Sequence, residues 1–230
     1  MAEVKQARPK PKNDDVVERA KDFWAARGKT VMIVCGVIIL LGGGWLAYKY
    51  LIKAPKEQKG QEAIWRTQNN YDQDSMKLTL TGDRQAQGAE KIASQYSGTK
   101  AGNLAEYYAG VAALKTGDNN KAIKHLENFS TDAGQIQARA YKLLGDAYAN
   151  VGKNADALKN YKKAAHEFEE DQLGAAEYLF FAAYFADRVL KDKKEAIDLY
   201  KELKKKFPDS NYSDEADRYL AQAGVYKIED

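Results

Sequence analysis

Residues 141–164 read YKLLGDAYANVGKNADALKNYKKA. Gly152 supplies a tight turn between two helical stretches, because glycine adopts the left-handed backbone such a turn needs. Gly145 and Ala157 are small, as residues must be where two helices cross closely, and they are expected to face each other across the pair. Tyr148 and Tyr161 are large enough to fill the holes between one helix pair and the next. Earlier in the chain Gly110, Gly117, Ala122 and Leu126 repeat, at the same spacing, the pattern of Gly145, Gly152, Ala157 and Tyr161. A third copy carries Ala196, Tyr200 and Pro208, with its first helix, near Ala183, shifted by an insertion around Glu169–Leu173. Residues 57–230 hold 28 alanines against 10 valines and isoleucines together, and Pro208 is their single proline. Strands favour the reverse composition, so this part of the chain reads as all helical.

The order aromatic, Leu-Gly, aromatic, then Ala, aromatic, Ala is filled by Tyr141, Leu144, Gly145, Tyr148, Ala157, Tyr161 and Ala164. It resembles the tetratricopeptide repeat (TPR). The resemblance implies helix pairs stacked into a right-handed α-solenoid, each burying its apolar face only against its neighbours. The junction Gln95-Tyr96-Ser97-Gly98-Thr99, with Ala105 and Tyr108 after it, is echoed by Lys206-Phe207-Pro208-Asp209-Ser210, with Ala216 and Tyr219. By that echo Asp83–Tyr96 is the second helix of a degenerate first pair whose first helix lies near Gln61–Leu80. Ser213–Ala223 closes the array. The expected fold class is therefore all-α: one transmembrane helix, then a TPR-type solenoid of about four helix pairs over residues 61–230.

The membrane helix rests on a different signal. Residues 30–48, TVMIVCGVIILLGGGWLAY, carry no charge; Lys49 interrupts, and Tyr50, Leu51 and Ile52 follow. About 20 such residues, at about 1.5 Å each, cross a hydrocarbon core of roughly 30 Å. Lys49 can snorkel to the headgroups beside Trp45, Tyr48 and Tyr50. The run exceeds that of a cleaved signal peptide, and no small-x-small cleavage pattern follows closely. Residues 30–52 thus read as an uncleaved signal anchor, residues 1–29 as a cytosolic basic tail, and residues 53–60 as a linker. Lys10, Lys12, Arg19, Lys21, Arg27 and Lys29 precede the span, and Lys49, Lys53, Lys56, Lys59 and Arg66 follow it. Flanking charge is nearly balanced, so the long C-terminal part decides the orientation: N-terminus cytoplasmic, C-terminal domain across the membrane. Val16, Val17, Ala20, Phe23 and Trp24 form an apolar stripe, either a short amphipathic helix on an anionic leaflet or an extension of the membrane helix. Gly43 and Ala47 form a small-xxx-small pair that would let a partner helix approach within the bilayer. Cys35, inside the run, is a small hydrophobe.

Lys+Arg 36 against Asp+Glu 33 leaves a net charge of +3, which gives no ground for nucleic-acid binding. A single cysteine excludes an intramolecular disulfide and a cysteine-based zinc site. Phosphate-binding, dinucleotide, nucleophile-elbow and zinc-protease motifs are missing, so no enzyme activity, metal or cofactor is expected. His125 and His166 read as ordinary surface or partly packed residues. Glu167, Glu169, Glu170 and Asp171 lack the alternation of a calcium loop. The functional surface should be the face lined by the first helix of each pair. Repeat slots put Tyr107, Val111 and Leu114, then Arg139, Lys142, Asp146 and Asn150, then Tyr184 along it. A mixed aromatic and charged groove suits protein or peptide partners, although these tyrosines could equally serve packing alone. TPR domains that hold chaperone tails clamp a terminal carboxylate with lysines and asparagines; Asp146 stands at one of the asparagine slots and departs from that pattern.

A basic tail, one span and a C-terminal repeat domain resemble the layout of the YfgM-like ancillary subunits of the bacterial Sec translocon. That resemblance implies a bacterial inner-membrane protein that meets the translocon through its span, and periplasmic chaperones or clients through its repeats. The ending Phe207–Leu220 also resembles helix junctions of outer-membrane assembly lipoproteins and cell-division coordinator TPR proteins. A scaffold of another envelope machine is therefore the alternative.

Overall fold

The computed structural model describes residues 12–226, which fall into two compact units divided between Pro55 and Lys56. The first eleven residues of the expected basic tail, Lys10 among them, lie outside the described residues.

Helix α1 (Lys12–Ala47) carries the apolar run, and a π-helical stretch (Tyr48–Lys53) follows it. An 18-residue window there has mean hydropathy 2.2, with none of it buried against protein. Leu40, Leu41 and Ile39 are at least 70% exposed, the arrangement of a candidate membrane span rather than of a core helix. Residues 16–24 belong to this same helix, so the Val16–Trp24 stripe extends it. The Lys49 ammonium lies 5.1 Å from the Trp45 ring centre and 5.6 Å from that of Tyr50. A Cβ added at Gly43 would meet nothing within 4 Å.

The second unit opens with α2 (Ala54–Asp72), α3 (Met76–Thr81) and α4 (Ala89–Gln95). Three helix pairs follow: α5 (Lys100–Lys115) with α6 (Asn119–Asn128), α7 (Gly134–Asn150) with α8 (Asn154–Glu167), and α9 (Gln172–Phe185) with α10 (Lys193–Lys206). A π-helical stretch (Ala186–Leu190) prolongs α9, and α11 (Asn211–Gln222) closes the array as expected. Thr99, Asp118, Asp171, Asp192 and Ser210 each accept a backbone N–H from the first turn of the helix they precede. Such N-caps satisfy donors that a helix leaves open and contribute about 1 kcal/mol apiece.

Each of the first two pairs is held at one point of close approach. A Cβ on Gly145 would come 2.5 Å from Tyr161 Cδ1, and a Cβ on Gly110 would come 2.6 Å from Leu126 Cγ. Gly145 therefore faces Tyr161, one turn beyond the Ala157 expected opposite it; Ala157 is fully buried nearby. The tyrosine is admitted because the glycine has no side chain. Gly117 and Gly152 make the turns with φ of 86° and 77°.

Two expectations fail ahead of the first pair. Residues 54–60 are helical and not a linker. Glu57 accepts the Lys100 and Ala101 N–H groups at 2.7 and 3.1 Å, Lys56 Nζ donates to the Ser97 carbonyl at 2.9 Å, and a Cβ on Gly60 would lie 2.9 Å from that of Ala101. This stretch of α2 thus caps and packs on the start of α5. Nor is Asp83–Tyr96 one helix. The Asp83 carboxylate accepts the Gln85 and Ala86 N–H groups at 2.7 and 2.8 Å, fixing a turn that competes with helix, and α4 starts only at Ala89. Those two bonds, larger than its slight desolvation, hold the Asp83 carboxyl below the usual carboxylate range. The helix expected over Gln61–Leu80 is likewise broken at residues 73–75.

Replacing Gly145 by alanine should cost about 1–3 kcal/mol, since Tyr161 has to move from a filled space. Gly152→Ala meets open space but has to hold a left-handed backbone, at about 1–2 kcal/mol. Thermal unfolding of the detergent-solubilised chain measures both; a Gly145→Ala protein as stable as the wild type would contradict the crossing. If α1 spans a bilayer, full-length protein stays in the membrane pellet after carbonate washing, and its release would exclude the span.

Candidate functional site

The first helices of the pairs do not form one open face. Tyr107 and Val111 are buried, at 6% and 2% exposure, and are not groove residues. The short helices α3 and α4 pack on α5; the Tyr71 ring lies 4.8 Å from Tyr108, and Tyr107 packs at 5.1 Å on Phe129. Leu114 is half-buried against the same core. Tyr71 of α2 and the short helices on one side, and Phe129 just after α6, thus cover the stretch of α5 that repeat slots assign to a groove.

The face reopens at α7. Arg139 is exposed and makes no ion pair among the described residues. Burial above all pushes the Tyr107 hydroxyl up to about 12, and the Arg139 charge opposes that shift. Burial likewise raises Tyr178, again opposed by Arg139. Arg139 therefore stands near two protonated tyrosine hydroxyls, one from α5 and one from α9.

Lys142 and Asp146, one turn apart, are partners at 2.8 Å. The Tyr161 hydroxyl donates to the other Asp146 oxygen at 3.1 Å, and the Lys142 ammonium lies 5.2 Å from the Phe181 ring centre. The pair acts first as a strut joining α7, α8 and α9. Asn150 is exposed at the far end of α7, where its amide donates to Asn119 at 3.0 Å. Tyr184 is 39% exposed and belongs to an aromatic group with Phe180 and Tyr219. The structure thus brings Arg139 and the Lys142–Asp146 pair onto α7 beside α9, while Asn150 stands at the far end of α7 and Tyr184 near the end of α9.

Sequence slots missed Tyr178 and Phe181. Lys191, with φ of 59°, turns the third pair where Gly117 and Gly152 turn the others. Aligning on Ala196, Tyr200 and this turn puts Tyr178 in the slot of Arg139 and Phe181 in that of Lys142. Ala196 and Tyr200 carry this register in the sequence, whereas a register set on Ala183 conceals it.

Elsewhere titratable groups tie helices together. His125 is buried, with Nδ1 2.5 Å from Glu106 and Nε2 3.8 Å from Glu90. His166 Nε2 lies 2.7 Å from Glu202, and Lys206 bridges Glu202 at 3.1 Å and Glu169 at 2.6 Å. Among the described residues no cluster of three or more His, Cys, Asp or Glu could hold a metal ion. An open groove of about 580 Å³ runs between α6, α7 and α8, with Tyr141 and Tyr148 in its wall. Tyr148 donates to Glu127 at 2.5 Å, a bond that pushes its hydroxyl up to about 12.

A tetratricopeptide-repeat family model matches residues 178–210, which cover most of α9, the π-helical stretch, α10 and Pro208. Comparison with curated proteins gives no match.

Burial acts to raise the Glu202 carboxyl, but hydrogen bonds from His166 and Lys206, and then their charges, outweigh it and hold the group below the usual range. A carboxyl lowered on folding stabilises above its unfolded pKa, about 4.3, and that contribution is lost as pH falls through the folded value. Glu202→Gln should therefore cost up to about 1 kcal/mol at pH 7, in the range of partly exposed pairs. The difference from wild type should close by about pH 3; a constant difference from pH 7 to 3 would exclude the charge as its cause.

Proposed function

We propose that this chain, which contains a tetratricopeptide repeat, is a single-span membrane-anchored scaffold that binds other proteins through its repeat domain. The observation that carries the reading is the union of a helical-repeat array with an exposed apolar helix long enough to cross a bilayer. Partners are taken by the α7–α9 face, where Arg139, without an ion pair among the described residues, offers a cation near Tyr178. Lys142 and Asp146 shape that face, and Asn150 and Tyr184 lie at its margins. Gly43 and Ala47 are the positions at which a second membrane helix would approach. The chain works in binding rather than catalysis, without metal, cofactor or nucleic acid.

The finer reading is a bacterial inner-membrane protein with its N-terminus cytoplasmic and its repeats periplasmic, meeting the Sec translocon and periplasmic chaperones or clients. Its layout, a basic tail, one apolar run of anchor length and a C-terminal repeat domain, supports this. Purification of the full chain in mild detergent, read by mass spectrometry, is expected to recover translocon components; recovery of a different envelope complex in their place would favour the alternative scaffold. Protease added to spheroplasts should digest everything after about Lys53, and protection would reverse the orientation. Arg139→Glu should leave stability within about 0.5 kcal/mol, as exposed sites usually do, yet reduce partner recovery. Unchanged recovery would move the binding surface off α7.

A further inference from the structure

The third helix pair departs from the first two in ways that meet at one cleft. Tyr184 stands in the slot of Gly110 and Gly145, Lys191 takes the turn otherwise made by glycine, and α9 ends in a π-helical stretch. Such π turns recur at functional sites, and departures from a local rule concentrate there. Here the stretch carries Asp187 and Arg188 into the wall of a cleft of about 150 Å³ bounded by α10 and α11. Lys193, Tyr200, Tyr219 and Gln222 complete the polar part of its lining.

Within this lining the Tyr200 hydroxyl is buried and has no hydrogen-bond partner among the described residues. Buried polar atoms nearly always have one, so an orphan calls for an explanation. Its ring is stacked on Tyr219, at 5.3 Å and 9°. Burial first, then Tyr219 and the Asp187 carboxylate, push the hydroxyl above its ordinary value, while Arg188 pulls it down. The hydroxyl is therefore a protonated donor, and the charges acting on it are those of the cleft wall. Arg188 is held by Asp187 at 3.0 Å through Nε and lies over Tyr184 and Tyr219, 5.9 and 5.5 Å from their ring centres. A long Nη2 contact of 3.5 Å to Gln222 leaves that end of the guanidinium available. Lys193 is exposed and makes no ion pair among the described residues.

We propose that this cleft binds a carboxylate, with the Tyr200 hydroxyl donating to one oxygen and Arg188 and Lys193 pairing with the other. Asp187, Arg188 and Lys193 together give the wall one net positive charge, which a monoanion neutralises. A dianionic phosphate would face Asp187 uncompensated. The group comes either from a free small acid or from an acidic side chain of a partner; the second source rests on the scaffold reading and the first does not. The cleft involves neither Arg139 nor the Lys142–Asp146 pair, so it is a second site and not part of the α7 face.

The test is titration of the full chain in detergent, with its tyrosines ¹³C-labelled at Cζ and the Tyr200 signal identified by its loss in Tyr200→Phe. Sodium acetate probes the free acid and N-acetyl-glutamate amide the side chain, with N-acetyl-glutamine amide as the uncharged control. A saturable shift of the Tyr200 signal is expected with a carboxylate and not with the glutamine compound. Arg188→Ala and Lys193→Ala should each weaken binding about tenfold, the loss of one charge-assisted contact, while Lys205→Ala should not. Binding of acetate alone upholds the cleft and rules out the side-chain source. Binding of the glutamate compound upholds both, even if Arg139→Glu leaves partner recovery unchanged. No saturable shift, a shift indifferent to Arg188 and Lys193, or a preference for inorganic phosphate would overturn the proposal.

Discussion

At Gly110 and Gly145 the first helix of a pair has no side chain, and Leu126 or Tyr161 from the second helix occupies the space left open. This crossing sets how close the two helices lie and turns a row of alanines into a core. On α5, Ala105, Ala109, Ala112 and Ala113 are fully buried. Each removes little apolar area from water compared with leucine, so the gain has to come from close packing over the whole helix. Tyr161 extends the effect beyond its own pair. Its ring meets Phe181 at 4.8 Å and Phe185 at 5.1 Å, both on α9. One residue thus fills the crossing within its pair and the seam to the next, as nearest-neighbour stability in a repeat array requires.

The third pair lacks this crossing and compensates with aromatics. Tyr184 stands where glycine would be, so α9 and α10 are joined through Phe180, which meets Tyr200 at 5.8 Å, and α11 adds Tyr212 and Tyr219 at 5.5 and 5.8 Å from Phe180. A last pair has no following neighbour to cover it. The closing helix takes that place, with Tyr219 packed edge-on against Tyr184 at 5.9 Å.

What the sequence made legible follows from which interactions are local. Gly117 and Gly152 announced their turns, and Gly145 with Tyr161 announced a crossing, because each lies within one repeat. The residue facing Gly145 was misjudged by one turn, since spacing alone does not say which side chain reaches across. The helical start of α2 was hidden because its reason, Glu57 capping Lys100, spans 43 residues. The break at Asp83 was readable in principle from an aspartate set just after Gly82, yet the repeat echo outweighed it. Tyr107 and Val111 are lost from the groove for a reason no slot contains: their helix is packed by Tyr71, Phe129 and the short helices α3 and α4. On α7 Arg139 is exposed, and the contact between Lys142 and Asp146 is readable as an i, i+4 pair, whereas its inward anchor, Tyr161, is not.

The charges show a division of labour between the two helices of a pair. Lys162 with Glu195, His166 with Glu202, and Lys206 with Glu169 join residues 33, 36 and 37 positions apart, about one repeat. Pairs this exposed contribute about 0–1 kcal/mol each, too little to hold the array together but enough to disfavour a slipped register in which like charges would meet. They tie some of the charges of α8 and α10 to the neighbouring repeat. On α7 the charge of Arg139 is left without an ion pair among the described residues, near the hydroxyl of Tyr178. In a chain whose net charge is only +3, an unmatched charge on the surface comes from where the pairing stops and not from bulk charge.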